Sequence, residues 1–252
     1  TLQNNGSELV GDISSVVAGT GLSGGGTSGD VTLNSDLLAK QGGTNFTNSL
    51  LVGTSSTGTL DAAQKNTGVG TGVFAALTSG DNNTAVGMNA LKTTTTGSDN
   101  TAIGRNAMEK NVSGATNAAV GIYSLACNTT GANNTGVGAN SLCANTTGSF
   151  NTAIGEQSLE KNTTANSNTG LGFKALCTNT TGAENVAVGQ VALLANTTGA
   201  SNTAVGKSAL TANTTGANNV AVGKDSLKTN TTASGNTAVG ESALEVTTTG
   251  CC

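Results

Sequence analysis

Apolar and polar residues recur along this chain with a fixed period. The glycine that closes each copy of the pentapeptide NTAVG falls at Gly70, at Gly87, and then at every 17th residue up to Gly240. One unit reads N-T-A-V-G-x-x-A-L-x-x-N-T-T-G-x-x, and we call the set of residues at one unit position a column. Eleven units follow one another without an insertion. A self-similar period of this length predicts a stacked, solenoid-like fold.

The columns predict a short strand and a turn in each unit. Column four holds branched aliphatic residues such as Val86, and column nine holds large apolar residues such as Leu91. β-Branched residues bounded by glycine predict a strand over NTAVG, and NTTG is typical of a turn. Because side chains alternate along a strand, columns two and four share one face. We predict that columns four and nine form the core, and that column three, which is only Ala or Gly, packs against a neighbouring chain.

Charged residues test this assignment independently. Within the repeats, every Lys, Arg, Asp and Glu lies in column six, seven, ten, eleven, sixteen or seventeen, as Arg105 and Glu160 do. Solvent is therefore expected at the same columns in every turn. A helix over x-x-A-L-x-x is the competing interpretation, but 17 residues leave little room for a helix, a strand and two turns. The strand alternation does not explain why Ala and Leu of columns eight and nine both look shielded; a bulge, or an Ala turned toward a partner chain, would explain it.

These patterns predict an all-β, repetitive parallel β-solenoid or β-roll over residues 66–250. Residues 1–65 are predicted to form a Gly/Ser-rich N-terminal β segment that connects or attaches the solenoid. Column one is Asn in every unit, and stacked strands lie about 4.7–4.9 Å apart, so these amides are expected to form a structural ladder. Its members are Asn66, Asn83, Asn100, Asn117, Asn134, Asn151, Asn168, Asn185, Asn202, Asn219 and Asn236.

Composition argues against catalysis and against several classes of partner. The chain has no His, a net charge of −4 and only 10% charged residues, so neither a usual general base nor a nucleic-acid-binding surface is indicated. No apolar run is long enough to span a membrane. Glu156 with Glu160, and Glu241 with Glu245, fit a solvated rim better than a catalytic pair. We expect no enzyme activity, no cofactor, no metal, no nucleic-acid partner and no membrane insertion.

Two residue types remain candidates for modification. The sequence N-x-S/T recurs in one column and offers a glycan ladder, although turn chemistry explains the motif and glycans at this spacing would crowd. Cys127 and Cys143 lie in adjacent turns and columns, where either a bridge or free thiols would fit. Cys251 and Cys252 are candidates for an interchain disulfide. The glycosylation candidates are Asn111, Asn128, Asn145, Asn162, Asn179, Asn196, Asn213 and Asn230.

The unit N-T-A-V-G-x-x-A-L-x-x-N-T-T-G resembles repeats of bacteriophage tail-fibre and related virion proteins. It is also similar to the head repeats of trimeric autotransporter adhesins, in which the repeat unit is longer. The stretch GDISSVVAGTGLSGGGTSGDVTLN, residues 11–34, resembles a segment of phage tail fibres. The resemblance implies a left-handed parallel β-roll, wound by three chains about a common axis, on a virion tail fibre or another extracellular surface.

Three functional hypotheses follow. The leading one is a structural fibre protein that forms the rigid shaft of a viral tail fibre or extracellular appendage and associates with copies of itself. The second is an adhesin that binds host glycan or protein through the exposed variable columns. The third is an ice-binding solenoid, which the adjacent Thr146 and Thr147 and the nearby charges disfavour.

Overall fold

The structure is a computed structural model, and it describes residues 3–4, 7–8, 16–17, 22–26, 33–35, 40–41, 46–47, 49–53 and 61–246. Over these residues the chain is all-β, without a helix, and the predicted parallel β-solenoid is confirmed. The strands are β1 Gln3–Asn4, β2 Ser7–Glu8, β3 Val16–Val17, β4 Leu22–Gly26, β5 Leu33–Ser35, β6 Lys40–Gln41, β7 Phe46–Thr47, β8 Leu50–Val52, β9 Ala63–Gln64, β10 Thr67–Val69, β11 Thr84–Val86, β12 Thr101–Ile103, β13 Ala118–Val120, β14 Thr135–Val137, β15 Thr152–Ile154, β16 Thr169–Leu171, β17 Val186–Val188, β18 Thr203–Val205, β19 Val220–Val222 and β20 Thr237–Val239.

The solenoid is a single parallel stack of three-residue strands. Strands β8 and β10 to β20 pair in sequence order, and each residue pairs with the residue of the same column in the next turn, as Thr84 does with Thr101. Strand β6 pairs antiparallel with β8 and completes a 13-stranded sheet. The constant 17-residue period keeps every column aligned along the whole stack.

The parallel stack begins one turn before residue 66, the predicted start of the repeats. Leu50 of β8 pairs with Thr67, and Ser49 occupies the position of the column-one asparagine. The hydroxyl of Ser49 accepts a 2.8 Å hydrogen bond from the backbone N–H of Asn66. A serine oxygen thus substitutes for the amide oxygen of the regular unit, and this change conceals the extra turn in the sequence pattern.

Among the short N-terminal strands, β1 pairs with β2 and β4 pairs with both β3 and β5, in each case antiparallel. Strand β7 pairs with β9 in parallel. The predicted N-terminal β segment is thus present as strands within the described residues.

The two faces of each strand are the reverse of our prediction. Column three, for example Ala85 and Ala102, is fully buried inside the chain, whereas Val86 and Ile103 of column four are 37% and 41% exposed. The interior beside column three is narrow: a Cβ atom added at Gly136 would lie 2.6 Å from the hydroxyl oxygen of Ser124. Column three therefore has room only for Ala or Gly. These small residues lie in the core of one chain and do not form a contact between chains.

A turn with left-handed residues explains why columns eight and nine are both buried. Residues 88–93 form a turn in which Asn89 and Leu91 have φ values of +58° and +49°. Strand alternation does not apply to such a backbone, so Ala90 and Leu91 both enter the interior. The same positive φ recurs in columns seven and nine of every turn from 88 to 244. The predicted core residues of column nine are therefore confirmed from Phe74 to Leu227, by a conformation that the strand pattern did not indicate, whereas Leu244 in the last turn is 40% exposed.

Candidate functional site

The outward side of the stacked strands is a charge-free surface, which we call the Thr–Val face. It consists of columns two and four, where the sequence places only Thr, Val, Ala, Ile and Leu. Column two is mostly half-buried, and most column-four side chains are more than a third exposed. The column-four members are Val69, Val86, Ile103, Val120, Val137, Ile154, Leu171, Val188, Val205, Val222 and Val239.

This apolar stripe is unusual because it repeats at every turn. Scattered exposed aliphatic residues are normal on soluble proteins, but a contiguous apolar patch of several hundred Å² is typical of an interaction surface. The whole Thr–Val face, one three-residue strand wide and 11 strands long, covers about 500 Å² at ordinary strand dimensions, and the column-four stripe is its apolar part. Among the described residues, the Thr–Val face is therefore the surface that best fits an interaction surface.

The column-one asparagines form a hydrogen-bonded ladder inside the solenoid. From Asn83 to Asn236, the backbone N–H and the Nδ2 of each asparagine both donate to the Oδ1 of the asparagine one turn earlier, over 2.9–3.3 Å. All are buried, and Asn66 is fully buried at the N-terminal end of the ladder. The side chains thus hold neighbouring turns together from within.

A second asparagine ladder lies in column twelve, where we considered glycosylation. Each Nδ2 from Asn128 to Asn230 donates to the Oδ1 of the column-twelve asparagine one turn earlier, over 2.8–3.1 Å, and Asn111 donates to the hydroxyl of Thr94. Each Nδ2 also donates to the carbonyl oxygen three residues later. The residues of this second ladder are Asn111, Asn128, Asn145, Asn162, Asn179, Asn196, Asn213 and Asn230.

The second ladder contradicts the glycan hypothesis. All eight side chains are fully buried. An amide nitrogen carries two hydrogens, and both are already donated within the core. A sugar on Nδ2 would remove one of these hydrogen bonds and would need space that the interior does not have. The sequence motif N-T-T-G serves the packing of the coil.

The two ladders meet at one backbone atom in most turns. In seven turns, a column-one and a column-twelve asparagine donate to the same column-fifteen carbonyl oxygen. A carbonyl oxygen has two lone pairs, so both donors are accommodated. Sequence reasoning missed this feature because NTTG alone is sufficiently explained as a turn; the signal was the invariance of its Asn over eight successive units.

Three of the four carboxylates considered as catalytic pairs lie beside lysines. The Oε1 of Glu160 lies 3.5 Å from the Nζ of Lys161. The Oε1 of Glu241 lies 2.9 Å from the Nζ of Lys224. Glu245 lies 3.7 Å from Lys228. Within the described part of the chain, no three His, Cys, Asp or Glu side chains are grouped as metal ligands. The arrangement of these residues is that of a charged rim on a polar coil.

Cys127, Cys143 and Cys177 are free thiols in the structure. Burial, and a hydrogen bond to Glu160, raise the pKa of Cys177 to about 11. Burial also raises the pKa of Cys143. The interchain candidates Cys251 and Cys252 lie outside the described residues.

Comparison with known proteins adds no relative to this description. No protein-family model, no curated protein and no solved structure matches the chain. A search of the described residues for a helix long and apolar enough to cross a membrane also found none.

Proposed function

We propose that this chain forms the rigid shaft of a viral tail fibre or of another extracellular appendage that supports host attachment. The observation that carries the proposal is the unbroken stack of β8 and β10 to β20, in which every turn repeats the same strand register. At ordinary strand spacing the repeats form a rod about 50 Å long. A straight rod of identical coils is suited to holding two ends apart.

Copies of the chain associate through the Thr–Val face. Association would bury the exposed branched side chains of column four. The face also carries no charge that would repel an identical face. Another copy has the same spacing between turns, so each valine or isoleucine meets an equivalent residue along the whole rod. The resemblance to virion and adhesin repeats favours three copies around an axis.

The adhesin hypothesis is supported by a different set of residues. Columns six, seven, sixteen and seventeen vary from turn to turn and lie at the surface, where Phe150 is 63% exposed. The guanidinium of Arg105 lies 5.1 Å from the ring centre of Tyr123 on the next turn. Exposed aromatic and polar groups of this kind fit a glycan or protein ligand. Binding of the purified protein to host cells, abolished by added sugars, would support adhesion by the shaft itself.

The Thr–Val face also bears on the ice-binding hypothesis. It places Thr of column two and Val of column four two residues apart on a charge-free plane, whereas Thr146 and Thr147 lie elsewhere on the coil. Self-association covers that plane, so the fibre proposal predicts no thermal hysteresis from the purified assembly. Hysteresis that accompanies a monomeric state would favour ice binding instead.

Electron microscopy and native mass measurement test the fibre proposal together. Negatively stained particles should be straight rods, and the native mass should be a multiple of the 24.3 kDa chain, three-fold for a trimer. Treatment with protease should leave the repeat region intact, because its backbone hydrogen bonds are internal and continuous. Globular particles of one-chain mass would contradict the proposal.

A further inference from the structure

Three of the five cysteines lie on one corner of the solenoid, within four successive turns. Cys127 is in column eleven, and Cys143 and Cys177 are in column ten. Cys127 and Cys143 lie on adjacent turns and are backbone hydrogen-bond partners. The N–H of Cys127 donates to the carbonyl oxygen of Cys143 over 3.0 Å. Cys177 is two turns beyond Cys143, about 9.5 Å away at ordinary strand spacing, which is beyond disulfide reach.

The side chains of column eleven extend toward the next turn. In this column, the hydroxyls of Thr93, Thr178 and Thr229 donate to the column-ten carbonyl of the following turn over 2.6–2.9 Å. Cys127 occupies the same column, and its following column-ten residue is Cys143. The fold therefore directs one sulfur toward the residue that carries the other. Neighbouring strands are about 4.7–4.9 Å apart, within the Cα separation that a disulfide requires.

We propose that Cys127 and Cys143 are a modification site at which an oxidant forms a disulfide between two successive turns. With a small-molecule disulfide as the oxidant, one protein thiolate attacks it, forms a mixed disulfide and releases one small thiol. The second protein thiolate attacks the protein sulfur of that mixed disulfide and releases the other small thiol. Two protein thiols are oxidised, and one small disulfide is reduced to two thiols. The new S–S bond links the two successive turns that carry Cys127 and Cys143.

The surroundings favour this pair over the third cysteine. Cys177 donates its S–H to Glu160 over 3.4 Å and is more deeply buried than the other two. Burial and this hydrogen bond raise its pKa to about 11, so Cys177 stays a protonated thiol in neutral solution. Cys127 and Cys143 are only half-buried, so a small oxidant reaches them.

Alkylation mapping tests the proposal on the intact protein. The folded chain is incubated with oxidised glutathione, denatured, alkylated with iodoacetamide and digested with trypsin. Cys127 and Cys143 fall in one tryptic peptide, residues 111–161, and Cys177 falls in another, residues 175–207. The first peptide should carry no alkyl group and should lack two hydrogens, whereas the second should be alkylated. Prior reduction should restore both alkyl groups on peptide 111–161.

Two variants show whether the bridge is specific. Cys177→Ser should leave the result on peptide 111–161 unchanged, because Cys177 takes no part. Cys127→Ser should abolish the internal bridge and leave Cys143 either alkylated or carrying glutathione. The proposal is overturned if the wild-type peptide takes two alkyl groups after oxidation. It is equally overturned if either cysteine is recovered bonded to Cys177, to Cys251 or Cys252, or to a second chain.

Discussion

Asn100 and Asn111 donate to the same acceptor, the carbonyl oxygen of Gly114, over 2.9 and 3.0 Å. One asparagine opens the repeat unit and the other opens its NTTG segment, so a single backbone atom joins the first ladder to the second, which extends over the eight turns from Asn111 to Asn230. Hydrogen bonds in a chain polarise one another in a low-dielectric interior. This shared acceptor explains why a solenoid with so little aliphatic side-chain volume has a defined interior, and why two asparagine columns accompany only one leucine column.

Replacement of one ladder asparagine should destabilise the fold beyond the loss of its own contacts. In Asn145→Ala, the Nδ2 of Asn162 loses one of its two acceptors and the Oδ1 of Asn128 loses its donor. Each buried polar group left without a partner costs about 1–3 kcal/mol. Urea unfolding should therefore show a marked fall in the unfolding free energy. The matched control is Gln190→Ala, an exposed amide in column six, and equal effects from the two variants would refute a core role for the ladder.

The small residues inside the coil are coupled between turns. A Cβ atom at Gly170 would lie 2.5 Å from the hydroxyl oxygen of Ser158, which donates to the Gly170 carbonyl. Gly170→Ala alone should therefore cost at most about 1 kcal/mol, the low end of the overpacking range, because Ser226 and Ala238 already occupy the same two columns. Combined with Ser158→Ala, most of that cost should disappear, because Ala175 and Ala187 already occupy the same two columns one turn later. Additive effects in this double-mutant cycle would show that the clash is not the cause.

Left-handed backbone positions offer a stabilising substitution. Val191, in column seven, has a φ of +52°, a conformation unfavourable for a β-branched residue. Asn accepts it readily, and Asn140 occupies the same column with a φ of +56°. Val191→Asn should raise the unfolding free energy by about 1 kcal/mol, within the range of such backbone strain. The reciprocal change Asn140→Val should lower it, and thermal unfolding of both variants would show whether the signs are opposite as expected.

The architecture was predictable from the sequence because period and register are one-dimensional properties. A constant spacing between glycines fixes the stacking, and the columns that carry charges show which residues face water. The direction of each strand face was not predictable in this way. Alternation separates Ala85 from Val86 but does not say which one points inward, and size suggested the wrong answer because the interior was already filled by Leu91 and the asparagines.

The predicted contact surface between chains was wrong for the same reason, because it depended on which strand face points inward. Placing the alanines outside led to an expected contact between chains through them, whereas the structure exposes Val86 and Ile103 in their place. The second ladder escaped notice because Asn128 fits a turn motif as well as a buried hydrogen-bonding role. The pairing of Ser158 with Gly170 requires contacts between turns, which a single sequence does not display.

The last two turns should loosen in acid. Lys228, 3.1 Å away, holds the pKa of the Asp225 carboxyl below its ordinary value, and Lys224 adds to the effect. A carboxyl whose pKa is lowered by folding stabilises the folded state above its unfolded pKa. That stabilisation is lost as the pH falls through the lower, folded pKa. Hydrogen exchange at the amide of Leu227, which donates to Ala243, should therefore accelerate at acid pH relative to the mid-stack amide of Leu159.

A variant and a salt series control this measurement. In Asp225→Asn, exchange at Leu227 relative to Leu159 should already be accelerated at neutral pH. Lowering the pH should then not increase this ratio further. High salt should have a similar effect, because the ion pairs lie at the surface and are screened. An unchanged ratio between Leu227 and Leu159 in Asp225→Asn would show that these charges do not hold the last turn.

Charges placed on the Thr–Val face should dissociate the assembly without unfolding the chain. Val120→Glu combined with Ile154→Glu puts two carboxylates on each copy, and identical faces then repel one another. The side chains point away from the interior of their own chain, so the circular dichroism of the β-solenoid should persist. Sedimentation should show a shift toward the one-chain mass. The control Thr130→Glu adds a carboxylate at an exposed column-fourteen position and should leave the assembly intact.

An electron cryo-microscopy map of the native assembly tests most directly how these coils stack and associate. The account predicts parallel coils spaced about 4.7–4.9 Å apart, Ala85 and its column inside each chain, and the valines of column four covered by neighbouring copies. A map in which the column-four side chains face bulk solvent, or in which the alanine column forms the contact between chains, would contradict it.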